Sequence, residues 1–282
     1  MKKNNILGSY IMILMNVSLL KENISLESKG LISRNQITAD IKANDNLGIR
    51  FTVNNSEPVL ANVSSISSTQ RNTVISNGTN TICLTEHFMA AAALINLNNI
   101  DINLNDEELP FGDGSSKLWI DLFKEKGLIT PEKLESKFEL KEEIKIVDPE
   151  KPHRYIIAKP SSENFKATYQ MNWDHPKIGE QSFSWQLGKN GIEDITDART
   201  FSTEMENQML GLSGWIVGIT ENDFTMPLRF TDEPSRHKVL DLIGDLYLSG
   251  INPLLIKMEV TSNQAGHHLN SLLATEIKKQ LA

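Results

Sequence analysis

One cysteine, Cys83, stands in 282 residues, so no disulfide can form within the chain, and the usage suits a reducing compartment. A basic excess is also missing. Acidic side chains outnumber basic ones 36 to 28, which argues against a general nucleic-acid binder, whose face would be positive. No apolar run reaches the roughly 20 residues that span a bilayer. The longest candidate, Ile6 to Leu20, is broken by Gly8, Ser9, Asn16 and Ser18. It follows Lys2-Lys3 as a signal peptide would, but Lys21-Glu22-Asn23 come next where a small-residue cleavage site belongs. The expectation is therefore a leading extension over 1–16, with translation starting at Met12 or Met15, and no stable membrane insertion. Low-complexity character is absent too: 39% hydrophobic and 23% charged residues describe a chain that packs a core.

What is present changes texture along the chain. Ile37 to Ile41 and Ile49 to Val53 alternate apolar and polar residues, as half-buried strands do. Thr85 to Leu97 contains Ala90-Ala91-Ala92-Ala93-Leu94 and reads as a helix with Thr85 as its N-cap. A strand over Asp101–Leu104, a tight loop at Pro110 to Ser115 and a helix over Ser116–Lys126 follow. After a charged stretch at 127–140, strands are expected near Glu143–Val147, Tyr155–Lys159, Phe165–Met171 and Ser182–Leu187. A helix over Pro234–Leu248, a strand over Leu254–Val260 and a helix over Leu269–Gln280 complete the chain. Both halves run strands first, then helix, strand, helix. The fold class this predicts is α+β, duplicated, with two sheets each backed by helices. The expected division is domain I over 17–126, a linker over 127–140 and domain II over 141–282.

Chemistry concentrates in three places. His237, Asp241 and Asp245 recur every four residues in a helical pattern, so they share one face, and an imidazole with a carboxylate at that spacing suits a divalent metal. The bland alternative is a solvated charge pair, but Val239, Leu240, Leu242, Ile243 and Leu246 mark much of that helix as buried, where unpaired charge is costly. Glu86-His87 opens the alanine-rich helix and offers a third ligand with a neighbouring base, or alternatively a capping pair. His267-His268 lies between the last strand and the last helix, as a catalytic or merely surface pair. His153 reads as surface, His175 as a structural hydrogen bonder in Trp173-Asp174-His175-Pro176, Cys83 as a small core residue, and Asp106-Glu107-Glu108 as solvated loop.

Taken together, Thr85-Glu86-His87, Glu108-Leu109-Pro110, Asp113-Gly114-Ser115, Asp174-His175-Pro176, Ala198-Arg199-Thr200-Phe201, the run from His237 to Leu248, and Gly266-His267 with Leu269-Asn270 resemble the zinc-dependent UDP-3-O-acyl-N-acetylglucosamine deacetylases of lipid A biosynthesis. The resemblance implies two similar α+β domains with the active site between them. It implies Zn2+ held by His87, His237 and Asp241, and Glu86 as the general base. His267 would be a cationic partner oriented by Asp245, Thr200 an oxyanion donor, and Lys238 and Phe201 substrate-binding residues. The substrate would be a UDP-linked acylated amino sugar, and the enzyme a cytoplasmic monomer. Two other readings remain open at this point. One is a related zinc amidase with a different acyl or sugar preference. The other is a catalytically silent paralogue that binds a UDP-sugar. The chain departs from the family at Gly30-Leu31-Ile32-Ser33, where Ile32 replaces the usual histidine. It lacks the cysteine often found near Asn72-Thr73. Between Phe201 and His237 it is about ten residues shorter than familiar members, in the segment that normally forms the acyl passage, for which Gln208 to Val217 offer apolar side chains.

Overall fold

The computed structural model describes residues 17–126, 128 and 133–281, so the expectations for 1–16 and for part of 127–140 lie outside the described residues. The chain begins with strands β1 (Ile24–Lys29), β2 (Gln36–Ala43), β3 (Ile49–Val53) and β4 (Val59–Leu60). A small sheet of β5 (Ile66–Ser68), β6 (Val74–Ser76) and β7 (Thr81–Ile82) follows, then α1 (Thr85–Leu94), β8 (Ile100–Leu104) and α2 (Lys117–Glu125). Next come β9 (Phe138–Glu139), β10 (Ile144–Val147), β11 (Tyr155–Pro160), β12 (Lys166–Trp173), β13 (Gly179–Gln186) and a short helix α3 (Glu193–Thr196). Strands β14 (Phe201–Thr203) and β15 (Val217–Ile219) pair in parallel through the crossover helix α4 (Glu204–Leu210). The chain closes with α5 (Glu233–Tyr247), β16 (Ile256–Asn263) and α6 (His267–Leu281).

The duplication is visible in the pairing. The first main sheet runs β1-β2-β8-β3-β4 and the second β10-β11-β16-β12-β13. In each, the strand between the two helices enters the centre, antiparallel to one neighbour and parallel to the other. The alternation read from sequence is real: Ile37, Ala39 and Ile41 of β2 face the core, as do Ile256, Met258 and Val260 of β16. Within the stretch read as linker, β9 pairs with β16. Among the described residues, no helix is long and apolar enough to cross a membrane.

Three local expectations need correction. Thr85 is the first helical residue, not the cap; Leu84 occupies the cap position at φ 61°, and the Thr85 hydroxyl donates to the Thr73 carbonyl at 2.9 Å. Pro253–Leu255 is a 3₁₀ turn, because proline at its start removes a ladder donor, and the strand begins at Ile256. His267 is the first residue of α6 rather than part of the loop before it.

Helix α1 is buried along its whole length, which its four alanines permit. Phe88 meets Phe51 and Trp119 edge to face on one side, at 5.7 and 4.9 Å between ring centroids. Along its other side α1 packs on α5. There a Cβ on Gly244 would lie 2.0 Å from the Glu86 carbonyl oxygen and 3.0 Å from Ala90 N. Only glycine allows the two backbones so near. Gly244→Ala is therefore expected to force the helices apart and to destabilise the fold by about 1–3 kcal/mol, the usual cost of overpacking. Thermal unfolding measures this, and an unchanged melting temperature would refute the close approach.

Candidate active site

The approach of α1 to α5 places Glu86 and His87, on the first turn of α1, against the face of α5 that carries His237, Asp241 and Asp245. All five are buried. His87 Nε2 lies 3.6 Å from Asp241 Oδ1, His237 Nε2 lies 3.2 Å from the same oxygen, and the two imidazole rings stand 4.9 Å apart. One ligand atom from each of His87, His237 and Asp241 falls within 4.8 Å of the others. His237 Nδ1 pairs with the Ala198 carbonyl at 3.0 Å, which fixes the tautomer and turns the Nε2 lone pair inward. Both His237 Nε2 and Asp241 Oδ1 are buried without a hydrogen-bond partner. Two unmet buried acceptors aimed at one point are expensive unless a cation sits between them. The donor set, two imidazoles and a carboxylate, fits zinc.

Charge is divided among the neighbours. Burial pushes the His237 imidazole below its ordinary pKa, so it is neutral and able to ligate. Burial opposes ionisation of Asp241 as well, but His237 and Lys238 outweigh it and hold the carboxyl well below the usual carboxylate range. Lys238 Nζ sits 2.7 Å from Asp241 Oδ2, leaving Oδ1 free. Burial raises the Glu86 carboxyl, which makes it a better proton acceptor. His267 moves the other way. Burial lowers it, yet the Asp245 carboxylate at 2.8 Å from its Nδ1 prevails and lifts it to about 9. Asp245 also accepts from the Thr73 hydroxyl at 2.5 Å and from the Asn270 amide at 2.8 Å.

Thr200 and Phe201 reach the site through backbone ties. Arg199 is locked to buried Glu233 of α5 at 2.8 Å, and the Thr200 N–H donates to the Gly114 carbonyl at 2.7 Å. Phe201 stands 6.1 Å from the His237 ring and 5.5 Å from Lys238 Nζ. A cavity of about 600 Å³ opens here, lined by Glu86, His87, Thr200, Phe201, Lys238 and His267. Its far part is apolar, with Leu31, Leu84, Phe111, Leu212 and Ile216.

A family model described as UDP-3-O-acyl N-acetylglycosamine deacetylase matches residues 18–279. The chain belongs to that family. Relatives named UDP-3-O-acyl-N-acetylglucosamine deacetylase agree. The protein of Nostoc sp. is 31% identical over 81% of this chain and 85% of its own length. That of Nautilia profundicola is 34% identical over 76% and 74%, and that of Campylobacter jejuni (strain ATCC 700819) 34% over 78% and 76%.

All nine residues, six named from sequence pattern and three (Thr200, Phe201 and Lys238) only from the resemblance, gather at this site. Of the rest, exposed His153 stands apart, and His175 binds the Thr220 carbonyl at 3.0 Å. Burial drives the Cys83 thiol up to about 11, which fits a packing residue. Glu108 is a correction: it is buried, not solvated, and accepts the N–H groups of Ile32 and Ser33 at 2.8 and 2.7 Å. Sequence reasoning missed Thr73, whose N–H donates to Glu86 at 3.0 Å while its hydroxyl serves Asp245. It also missed Trp173, a wall of the cavity 5.8 Å from Phe201, and it gave Asn270 no role. Asn270 was within reach, being three residues beyond His267 on one helical face; Thr73 had no such signal.

A raised histidine pKa has a definite pH sign. The His267 cation contributes its full stabilisation below about pH 6.5, and that contribution fades as pH rises through about 9. In Asp245→Asn the favourable charge is gone while burial remains. The His267 resonances, followed by NMR, are expected to titrate well below those of the wild type. Titration still near 9 would remove Asp245 as the cause.

Proposed function

We propose that this chain hydrolyses the N-acetyl amide of a UDP-3-O-acyl-N-acetylglucosamine, releasing acetate and the free amine at the committed step of lipid A synthesis. His87, His237 and Asp241 hold a zinc ion in this reading. The observation that carries it is the pair of orphaned acceptors, His237 Nε2 and Asp241 Oδ1, facing His87 at the floor of the cavity beside Glu86. When bound, zinc supplies polarisation of the amide carbonyl and acidification of water.

The chain's own groups supply the rest. Glu86, raised by burial and steadied by the Thr73 N–H, takes the proton from the attacking water. The tetrahedral oxyanion is met by the Thr200 hydroxyl and the His267 cation, donors already in place at the cavity wall. Glu86 passes that proton on to the amide nitrogen, the C–N bond breaks, and the free amine and acetate leave. Asp245 keeps His267 charged and oriented throughout. Lys238, at the cavity wall, faces the diphosphate, and Phe201 packs on the sugar side. No covalent enzyme intermediate is required.

The single cysteine supports a cytoplasmic setting. One observation favours a shifted substrate preference within the same chemistry: Ile32, where the family has histidine, lines the cavity and offers no polar contact.

Purified protein is expected to hold about one equivalent of zinc, to lose turnover to a chelator and to regain it with zinc. Full activity in metal-free protein would end this reading. Glu86→Ala should cost about 10²–10⁴-fold in deacetylation while metal stays bound. Asp241→Ala should lose the metal itself. Acetate release and metal analysis on the same preparations separate the two roles.

A further inference from the structure

The apolar part of the cavity has two walls from distant parts of the chain. Leu31 and Ile32 of the β1–β2 loop form one. Leu210, Leu212 and Ile216, at and after the end of α4, form the other. Arg34 joins them. Its guanidinium lies over the Trp215 ring, 4.2 Å from the centroid, and its Nη2 donates to the Gly211 carbonyl. Trp215 in turn packs against the cluster of Leu31, Leu84, Phe111 and Ile216 that lines the cavity.

Arg34 is a poor choice for stability alone. It sits at φ 66°, in the left-handed region that favours glycine. One of its guanidinium nitrogens, Nη1, is buried with no partner. A residue that is strained, incompletely satisfied and yet engaged on both walls marks a functional position. The ordinary surface arginine has neither the backbone constraint nor the cross-chain contacts. A stacked guanidinium is also planar and rigid, well suited to closing a seam between two apolar surfaces.

We propose that Arg34 and Trp215 form a clasp that limits how much acyl chain the apolar part of the cavity admits. They act as specificity-determining residues of the deacetylase reaction, and the proposal rests on that reading of the site. By tying Gly211 and Trp215 to the β1–β2 loop from outside the cavity lining, the clasp fixes the separation of the two walls. Acyl chains that fit behind it bind, and longer ones must break the Arg34 contacts first.

The test compares kcat/KM for UDP-3-O-acyl-GlcNAc substrates over a graded series of acyl lengths, in wild type, Arg34→Gly and Trp215→Leu. Glycine suits the backbone at position 34, so the first variant is expected to fold. Leucine keeps apolar contact at 215 but removes the ring that carries the arginine. In both, the ratio of kcat/KM for the longest to the shortest acyl chain should rise about tenfold or more, chiefly through KM. A general loss of structure lowers all lengths together and does not move that ratio. An unchanged ratio in either folded variant overturns the clasp. A wild type that releases acetate from no substrate of the series overturns the deacetylase reading itself.

Discussion

Everything at the centre of this molecule follows from the distance between two helix backbones. Helix α1 belongs to the first sheet's half of the chain and α5 to the second's, and they touch where Gly244 meets the Glu86 carbonyl. With a side chain at 244, the first turn of α1 would be lifted from α5. His87 would then no longer share a point with His237 and Asp241. The alanines of α1 serve the same end, since Ala90 to Ala93 keep the buried helix thin enough to lie between the aromatic cluster of the first half and α5. The duplicated fold brings two equivalent helices to one seam, and small residues at that seam convert proximity into a site.

A seam that buries six ionisable groups, Glu86, His87, His237, Asp241, Asp245 and His267, must give each a defined partner. The structure divides them by local partners. His237 Nδ1 is paired with a backbone carbonyl and burial keeps the ring neutral; His267 Nδ1 is paired with a carboxylate and the ring is cationic. Asp241 is paired with Lys238 on one oxygen and left open on the other, whereas Asp245 accepts three hydrogen bonds and has no open side toward the ligand cluster. Two aspartates one turn apart thus do opposite work. Thr73 couples the groups further, because one residue supplies the backbone donor to Glu86 and the hydroxyl to Asp245. Glu86 and the His267–Asp245 pair are thus tied together through one residue beside β6.

How much of this was legible in the sequence depends on range. His237, Asp241 and Asp245 could be placed on one face from spacing alone, because a helix imposes its own geometry. His87 and His267 could be joined to them only through the family resemblance, since nothing local says which distant helices touch. Thr73, the Ala198 carbonyl and the buried state of Glu108 escaped for the same reason: each acts through a backbone group or a partner 39 to 172 residues away. The helix α4 is a different failure. Thr203 caps it by accepting the Glu206 N–H and Gly211 ends it at φ 68°, signals of short range that were on the page. The common strand order of the two sheets was unreadable, because pairing partners are set by tertiary packing and not by any residue-level repeat.

The Glu108 anchor holds the turn after β1 in place whatever side chains the turn carries. Two N–H groups, those of Ile32 and Ser33, are bound to one buried carboxylate, and Gly30 is needed because a Cβ there would lie 2.2 Å from it. The backbone is therefore held from beneath by atoms that no side chain of the turn provides. Ile32 and Arg34 project from a fixed frame, one lining the cavity and one reaching Gly211 and Trp215 beyond α4. In such an arrangement the catalytic centre, built on α1 and α5, is insulated from substitution in the turn, while the shape of the apolar cavity is not. The ion cluster and the shape of the apolar cavity are held by separate anchors, so one can change without the other.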